Sequence, residues 1–281
     1  MHRSLAILAT VLIATASWAA EPLVKSGDNI AFLGDSITQQ GAGSPSGYVR
    51  LVISGLEANG VAAKPIPAGI GGHKSNQMLE RLQNDVLAKK PAWMTLSCGV
   101  NDVWHGAKGV PLDQYKTNIT AIVDRATEAG VKVVILTATM ISEDPAAANN
   151  KALAGYNDFL RGLAKERGLP LADLYADMCA GVEAAGEARK RGNIFTTDGV
   201  HMNPVGNQMM ALGVLRAFGL DAPQLAKAKE AWLDIPKAVP LSLAVTFRQY
   251  GMLQELAAKQ GKPVSDVVEE LLTKAAAEAG K

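Results

Sequence analysis

Apolar and polar positions along the chain follow two rhythms. Short apolar runs bounded by glycine or proline read as buried strands over Asn29–Leu33, Trp93–Cys98, Val131–Ala138 and Leu169–Leu174. Between them, apolar residues recur at helical spacing over Tyr48–Glu57, 75–89, Pro111–Ala129 and 146–167, and again from about 175 to Lys190. Ser75 is the expected N-cap of the second of these helices. A further strand is expected at Pro65–Ala68, where two prolines imply an edge or irregular position. Asn203-Pro204 opens a helix to about Phe218, since asparagine caps well and proline suits a first turn. Strands alternating with helices predict an α/β fold with a parallel sheet covered on both faces. Ligands in such sheets bind beyond the carboxyl ends of the strands.

The first twenty residues, MHRSLAILATVLIATASWAA, break this pattern. Arg3 supplies positive charge, Leu5–Ala16 is apolar, and Ser17 and Ala19 fit the small-residue rule for cleavage after Ala19, with Ala20 next. The apolar run is shorter than the roughly 20 residues a spanning helix needs. The expectation is a cleaved leader over 1–19, a periplasmic or secreted protein and no stable membrane insertion.

Composition narrows the class. With 48% hydrophobic residues and 28 Lys+Arg against 27 Asp+Glu, the 281-residue chain is neither disordered nor collagen-like. Its length suits one α/β domain with an appendage, or two small domains. Near-zero net charge argues against nucleic acid as a partner. Two cysteines are too few for a disulfide scaffold. Cys98 and Cys179 read either as a bonded pair or, more simply, as two small buried apolar residues.

Four segments that end strands or open loops carry candidate chemistry. Gly34-Asp35-Ser36-Ile37-Thr38 places a serine at a sharp turn, a way to expose a nucleophile, although Gly-Asp-Ser is also common turn composition. Gly69-Ile70-Gly71-Gly72 offers free backbone N–H groups to a developing anion, or is a plain surface loop. Gly99-Val100-Asn101-Asp102 offers an uncharged amide donor, or an Asn-Asp turn. In Thr197-Asp198-Gly199-Val200-His201 the carboxylate can reach the imidazole three residues on, fixing its tautomer. A metal site would need more ligands, and His73 and His105 lie in unrelated glycine-rich segments, so neither metal nor cofactor is expected.

In that order, GDSIT, GIGG, GVND and DGVH resemble the four blocks of the SGNH (GDSL-type) hydrolase family over residues 28–219. The resemblance implies a flavodoxin-like three-layer α/β/α sandwich and serine-dependent ester hydrolysis. It implies Ser36 as nucleophile, His201 as general base and Asp198 as its orienting partner. The Ser36 and Gly72 N–H groups and the Asn101 side chain would form the oxyanion hole. The segment from Leu96 to Asp144 looks closest to bacterial members resembling carbohydrate O-acetylesterases, which remove acetyl groups from polysaccharides. No long apolar insertion is present to build an acyl tunnel. Trp104, with His105 and Tyr48, could wall a sugar site, or Trp104 could pack in the core. His73 could contact substrate or be a solvated loop residue. A general short-acyl esterase or lysophospholipase and a non-catalytic glycan-binding protein are the alternatives; the partner in each case is a small-molecule or polysaccharide ester or glycan.

The hydrolase domain is expected over 20–220, leaving 221–281 as a C-terminal extension. Residues 223–234 look helical and Pro236–Pro240 reads as a linker. Leu241–Phe247 alternates like a strand, and Gln249–Gln260 and Ser265–Ala279 look helical. Strand–helix–helix resembles a ribbon-helix-helix module. The strand carries no basic residue, and the extension balances eight basic against eight acidic side chains, so homodimerisation fits better than DNA binding. A packed C-terminal extension is the alternative.

Overall fold

The structure, a computed structural model of the chain, describes residues 21–236, 239 and 244–279; the leader expected at 1–19 lies outside them. Five strands, β1 (Asn29–Gly34), β2 (Lys64–Gly69), β3 (Trp93–Ser97), β4 (Lys132–Leu136) and β5 (Leu171–Ala172), pair in the order β2-β1-β3-β4-β5. Every pairing is parallel, and the order is that of a flavodoxin-like sheet, with its switch point between β1 and β3. The inner strands are apolar almost throughout because both their faces are covered: Ile30–Leu33, Met94, Leu96 and Val133–Leu136 are all buried.

β2 lies at the sheet edge, as its prolines imply. Lys64 N–H donates inward to the Asp28 carbonyl at 3.0 Å. Pro65 and Pro67, one step out of phase, fall where a backbone N–H would face away from β1 and no donor is needed. β5 shrinks to two residues because Asp173 turns the chain at once into the next helix, its side chain accepting from Ala176 N–H at 3.3 Å.

Helices α1 (Ser36–Gly43) and α2 (Tyr48–Ala58) connect β1 to β2, and α3 (Ser75–Asp85) connects β2 to β3. Helices α4 (Val100–Trp104) and α5 (Leu112–Glu128) lead to β4, and α6 (Ala148–Arg167) leads to β5. α7 (Leu174–Ala185), α8 (Pro204–Ala217) and α9 (Ala222–Leu233) follow. α2 packs on α8 and α9, whereas α3 packs on α5 and α5 on α6. These two groups form the outer layers of an α/β/α sandwich. As expected, Asn203 caps α8, accepting from Gly206 N–H at 3.0 Å, with Pro204 in the first turn.

Two compact units divide between Val239 and Pro240. α9 belongs to the first: Trp232 is buried and its Nε1–H donates to the Leu51 carbonyl at 3.1 Å. The second unit contains α10 (Phe247–Gln260) and α11 (Val264–Ala279), which pair with each other. Of the expected strand at Leu241–Phe247, residues 241–243 lie outside the described residues, and 244–246 carry no strand. Phe247 already opens α10, because Thr246 and Gln249 form a reciprocal capping box that starts the helix there. In the expected linker Pro236–Pro240, residues 237, 238 and 240 also lie outside the description.

Cys98 and Cys179 are free thiols. Cys98 is buried with its S–H toward Asp102, and Cys179 is only partly buried, beside Met140 Sδ at 3.9 Å, so the pair is not bonded and the buried reading fits Cys98 alone. Among the described residues no helix is long and apolar enough to cross a membrane.

Candidate active site

Ser36 is the first residue of α1, directly beyond β1. Asp35 occupies the cap position, its Oδ1 accepting from Ile37 N–H at 2.9 Å. The first N–H groups of a helix have no intrahelical acceptor. With the Ile37 donor used by the cap, Ser36 N–H makes no hydrogen bond among the described residues.

The glycine-rich loop lies beside this serine. α1 folds back so closely over β2 that a Cβ on Gly69 would come within 2.3 Å of Gln39 N, which only glycine permits. A Cβ built on Gly71 would lie 3.8 Å from Ser36 Cβ, and Gly71 N–H is held by Gln39 Oε1 at 3.0 Å. Gly72 adopts φ +76°, the left-handed region, beside open space. Its N–H is also unpaired among the described residues.

Asn101 sits on the short helix α4 and is buried. Its Nδ2 donates to the His73 carbonyl at 3.2 Å and to Asp35 Oδ2 at 3.4 Å, both at the long end of the range. The next residue fixes α4. Asp102 Oδ1 accepts from Ser75 Oγ at 2.6 Å and from Ser75 N–H at 3.0 Å, while Ser75 Oγ accepts from Asn118 Nδ2 at 3.0 Å. Ser75 is therefore not the N-cap of α3. Its hydroxyl is committed to Asp102, Lys74 takes the cap position, and Gln77 Oε1 accepts from Lys74 N–H at 3.1 Å.

The last segment closes the arrangement. His201 Nε2 lies 2.9 Å from Ser36 Oγ, and His201 Nδ1 lies 2.7 Å from Asp198 Oδ2. Asp198 Oδ1 also accepts from the N–H groups of Val200 at 3.0 Å and His201 at 2.8 Å. A hydroxyl, an imidazole and a carboxylate thus stand in one hydrogen-bonded line beside unpaired backbone N–H groups. Such a line can deprotonate a hydroxyl, and the N–H groups can receive an oxyanion.

Two carboxylates of this region are tuned in opposite directions. Partial burial alone would raise Asp198, but hydrogen bonds from the His201 ring and from two backbone N–H groups outweigh it and hold the carboxyl at about 2. Asp35 is raised to about 6, chiefly by burial, with the Ile37 N–H bond opposing and the nearby Asp102 charge adding to the rise.

Around the site, Trp104 is 43% exposed and stacks on His105, ring centroids 6.0 Å apart, while His105 Nδ1 contacts the Asn101 carbonyl at 3.0 Å. Trp104 is therefore not a core residue. Tyr48 is wholly buried, paired through its hydroxyl with Thr38 Oγ1 at 2.8 Å, and cannot touch a sugar. His73 is partly buried, and burial followed by the Arg81 charge lowers its pKa.

Two features escaped the motif reading. The Asp102–Ser75–Asn118 cluster was hidden because it joins three separate elements. Glu143 lies past the end of β4, as three of the motif segments lie past strands, yet a lone glutamate in Ile-Ser-Glu-Asp suggests only a solvated loop. Its carboxylate in fact accepts from the N–H groups of Ile194, Phe195 and Thr196 and from Thr196 Oγ1.

Residues 32–209 match the model of the GDSL-like Lipase/Acylhydrolase family, and the chain belongs to that family. It is a carboxylic ester hydrolase. It is similar to the acetylxylan esterase of Geobacillus stearothermophilus, 24% identical over 217 residues, covering 70% of this chain and 97% of that one. The crystal structure of an acetyl xylan esterase, AlAXEase, shares 32% identity and a TM-score of 0.64 over 67% of this chain and 98% of that one. An uncharacterized lipoprotein, YqeF of Bacillus subtilis (strain 168), is 25% identical over 170 residues, covering 52% of this chain and 70% of that protein.

The Asp35 shift predicts a pH dependence of stability. A carboxyl whose folded pKa exceeds its unfolded value contributes stability that is full below the unfolded pKa, near 4, and lost as pH rises through about 6. Asp35→Asn keeps a capping oxygen and removes the titration. Urea unfolding should show the wild type losing up to about 3 kcal/mol relative to this variant between pH 4 and pH 7. An unchanged difference across that window contradicts the assignment.

Proposed function

We propose that the chain is an exported serine esterase that removes short acyl groups, acetyl above all, from O-acetylated carbohydrate. The observation that carries this reading is the 2.9 Å contact of His201 Nε2 with Ser36 Oγ, backed by Asp198 at 2.7 Å. His201 takes the Ser36 proton as Oγ bonds to the ester carbonyl carbon, since a serine hydroxyl at its own pKa is a weak nucleophile. Asp198 holds the imidazole tautomer and stabilises the imidazolium. The carbonyl oxygen, now an oxyanion, receives the Ser36 and Gly72 N–H groups and Asn101 Nδ2. The carbon–oxygen bond to the sugar breaks, His201 protonates the departing alcohol, and water repeats the sequence on the acyl-enzyme.

Support for a carbohydrate ester comes from the acetylxylan esterases to which the chain is similar and from the exposed Trp104–His105 stack next to Asn101. An apolar ring face presented to solvent suits the apolar face of a sugar. The lipoprotein relative fits export, with residues 1–19 as the leader. Of the extension expected at 221–281, α9 packs within the hydrolase unit, so the self-association element would be the second unit, with α10 and α11. Phe247 is 94% exposed, with Tyr250, Met252, Leu271 and Leu272 also exposed, more apolar surface than a two-helix unit can bury alone.

Acetate release from acetylated xylan and hydrolysis of p-nitrophenyl acetate, butyrate and octanoate test the chemistry. Turnover should fall steeply beyond acetyl and vanish in Ser36→Ala, while Asn101→Ala should lose about 10²–10³ in kcat. A preference for octanoate would move the substrate to lipids, and activity that survives Ser36→Ala would overturn the mechanism. Trp104→Ala should raise KM for acetylated xylooligosaccharide roughly fivefold, the equivalent of about 1 kcal/mol of stacking. The same variant should leave p-nitrophenyl acetate hydrolysis within about twofold. Sedimentation of the mature chain should show a dimer that Phe247→Glu with Met252→Glu dissociates; a monomeric wild type would refute the self-association.

A further inference from the structure

We propose that Glu143 is a positioning residue that sets the Asp198–His201 pair against Ser36, an inference that rests on the roles proposed above for those three residues. Glu143 Oε2 accepts from Ile194 N–H at 2.6 Å, and Oε1 accepts from Phe195 N–H at 2.8 Å, Thr196 N–H at 2.8 Å and Thr196 Oγ1 at 2.7 Å. Three consecutive backbone donors and a hydroxyl converge on one carboxylate. Hydrogen bonds to an ionised acceptor are about twice as strong as neutral ones, so this carboxylate is the strongest local restraint on the segment entering the Asp198–His201 loop.

The restraint reaches His201 through the loop's own bonds. Thr196 Oγ1, which donates to Glu143, accepts from Gly199 N–H at 3.1 Å. Thr197 N–H donates to the His201 carbonyl at 2.8 Å. Next to Glu143, Ser142 N–H donates to the Gly199 carbonyl at 2.7 Å. The segments following β4 and preceding α8 are thus bound on both sides of Asp198.

The segment that carries Glu143 is itself held. Asn150 of α6 is buried, its Oδ1 accepting from Ile141 N–H at 2.8 Å and its Nδ2 donating to the carbonyls of Asp144 at 2.8 Å and Ser142 at 3.2 Å. Within this frame Ser142 adopts φ +66°, a conformation that costs a residue other than glycine free energy and persists only where its surroundings enforce it. Placement therefore runs from α6 through the post-β4 loop to the imidazole. Glu143 touches none of the reacting atoms proposed above. A misplacement of about 1 Å at a catalytic group can cost on the order of 10²-fold, which is the scale on which such a restraint acts.

Glu143→Gln retains one acceptor oxygen but sets an NH2 group against the Ile194 N–H. The test compares kcat and KM on p-nitrophenyl acetate with the downfield proton NMR signal of the His201–Asp198 hydrogen bond. The expected result is a kcat about 10- to 100-fold lower, KM within about threefold, a native circular dichroism spectrum and a broadened or lost downfield signal. A kcat within about twofold of wild type with that signal intact overturns the proposal. So does a loss of activity with the signal unchanged, because the pair would then still be in place. If Glu143→Gln fails to fold, Thr196→Val decides. It removes the hydroxyl that joins Glu143 to the Gly199 N–H, two links of the proposed restraint, and should lower kcat roughly fivefold or more; no change in kcat overturns the proposal. Activity that survives Ser36→Ala defeats the proposed function instead, and the NMR signal still reports separately on what Glu143 does.

Discussion

Everything in the site depends on one contact between residues 165 positions apart, Ser36 Oγ to His201 Nε2. Neither partner is held by its sequence neighbours alone. Ser36 is fixed because β1 is buried on both faces and Asp35 turns its end into a capped helix. His201 lies on a loop that crosses from α7 to α8 and is bound from outside itself. The parallel sheet makes the meeting possible, since it brings the ends of β1, β3 and β4 to one side of the molecule. Within that frame the hydrogen bonds set by Asp35, Asp102 and Glu143 supply the remaining precision.

Three acids of this region, Asp198, Asp35 and Glu143, illustrate how a carboxylate serves different physical ends. Asp198, open to solvent and surrounded by donors, keeps its charge well into acid. Asp35, next to Ser36 in the chain but buried beside a second buried carboxylate, holds its proton to about pH 6. Environment separates them, not sequence, because each is an aspartate in a glycine-containing turn. Glu143 spends its oxygens on backbone N–H groups, where a carboxylate substitutes for the pairing a strand would have provided.

The sequence made the sheet legible because buried parallel strands are written as continuous apolar runs, and Asn29–Leu33 and Trp93–Cys98 could hardly be anything else. The edge placement of β2 followed from its prolines. The motif residues were legible because Ser36, Gly72 and Asn101 follow the ends of strands and Asp198 lies three residues ahead of His201 just before a capped helix. What could not be read were pairings between distant segments: Ser75 with Asp102, Glu143 with 194–196, and Tyr48 with Thr38. Single polar residues have no periodicity to betray them. The short helices α1 and α4 were missed for a related reason, since 8 and 5 residues are too few to display a repeat. At Thr246, a capping box ended any strand that the alternation of Leu241–Phe247 suggested.

The prolines of β2 have an effect beyond marking an edge. A sheet edge normally presents a row of N–H and C=O groups to which another chain can add a strand. Here Pro65 and Pro67 remove two of the outward-facing donors of one edge, and β5, at the opposite edge, has only two residues to offer. The molecule is thus poorly suited to edge-to-edge aggregation. Its folded sheet would stay closed to new strands even where the protein is concentrated.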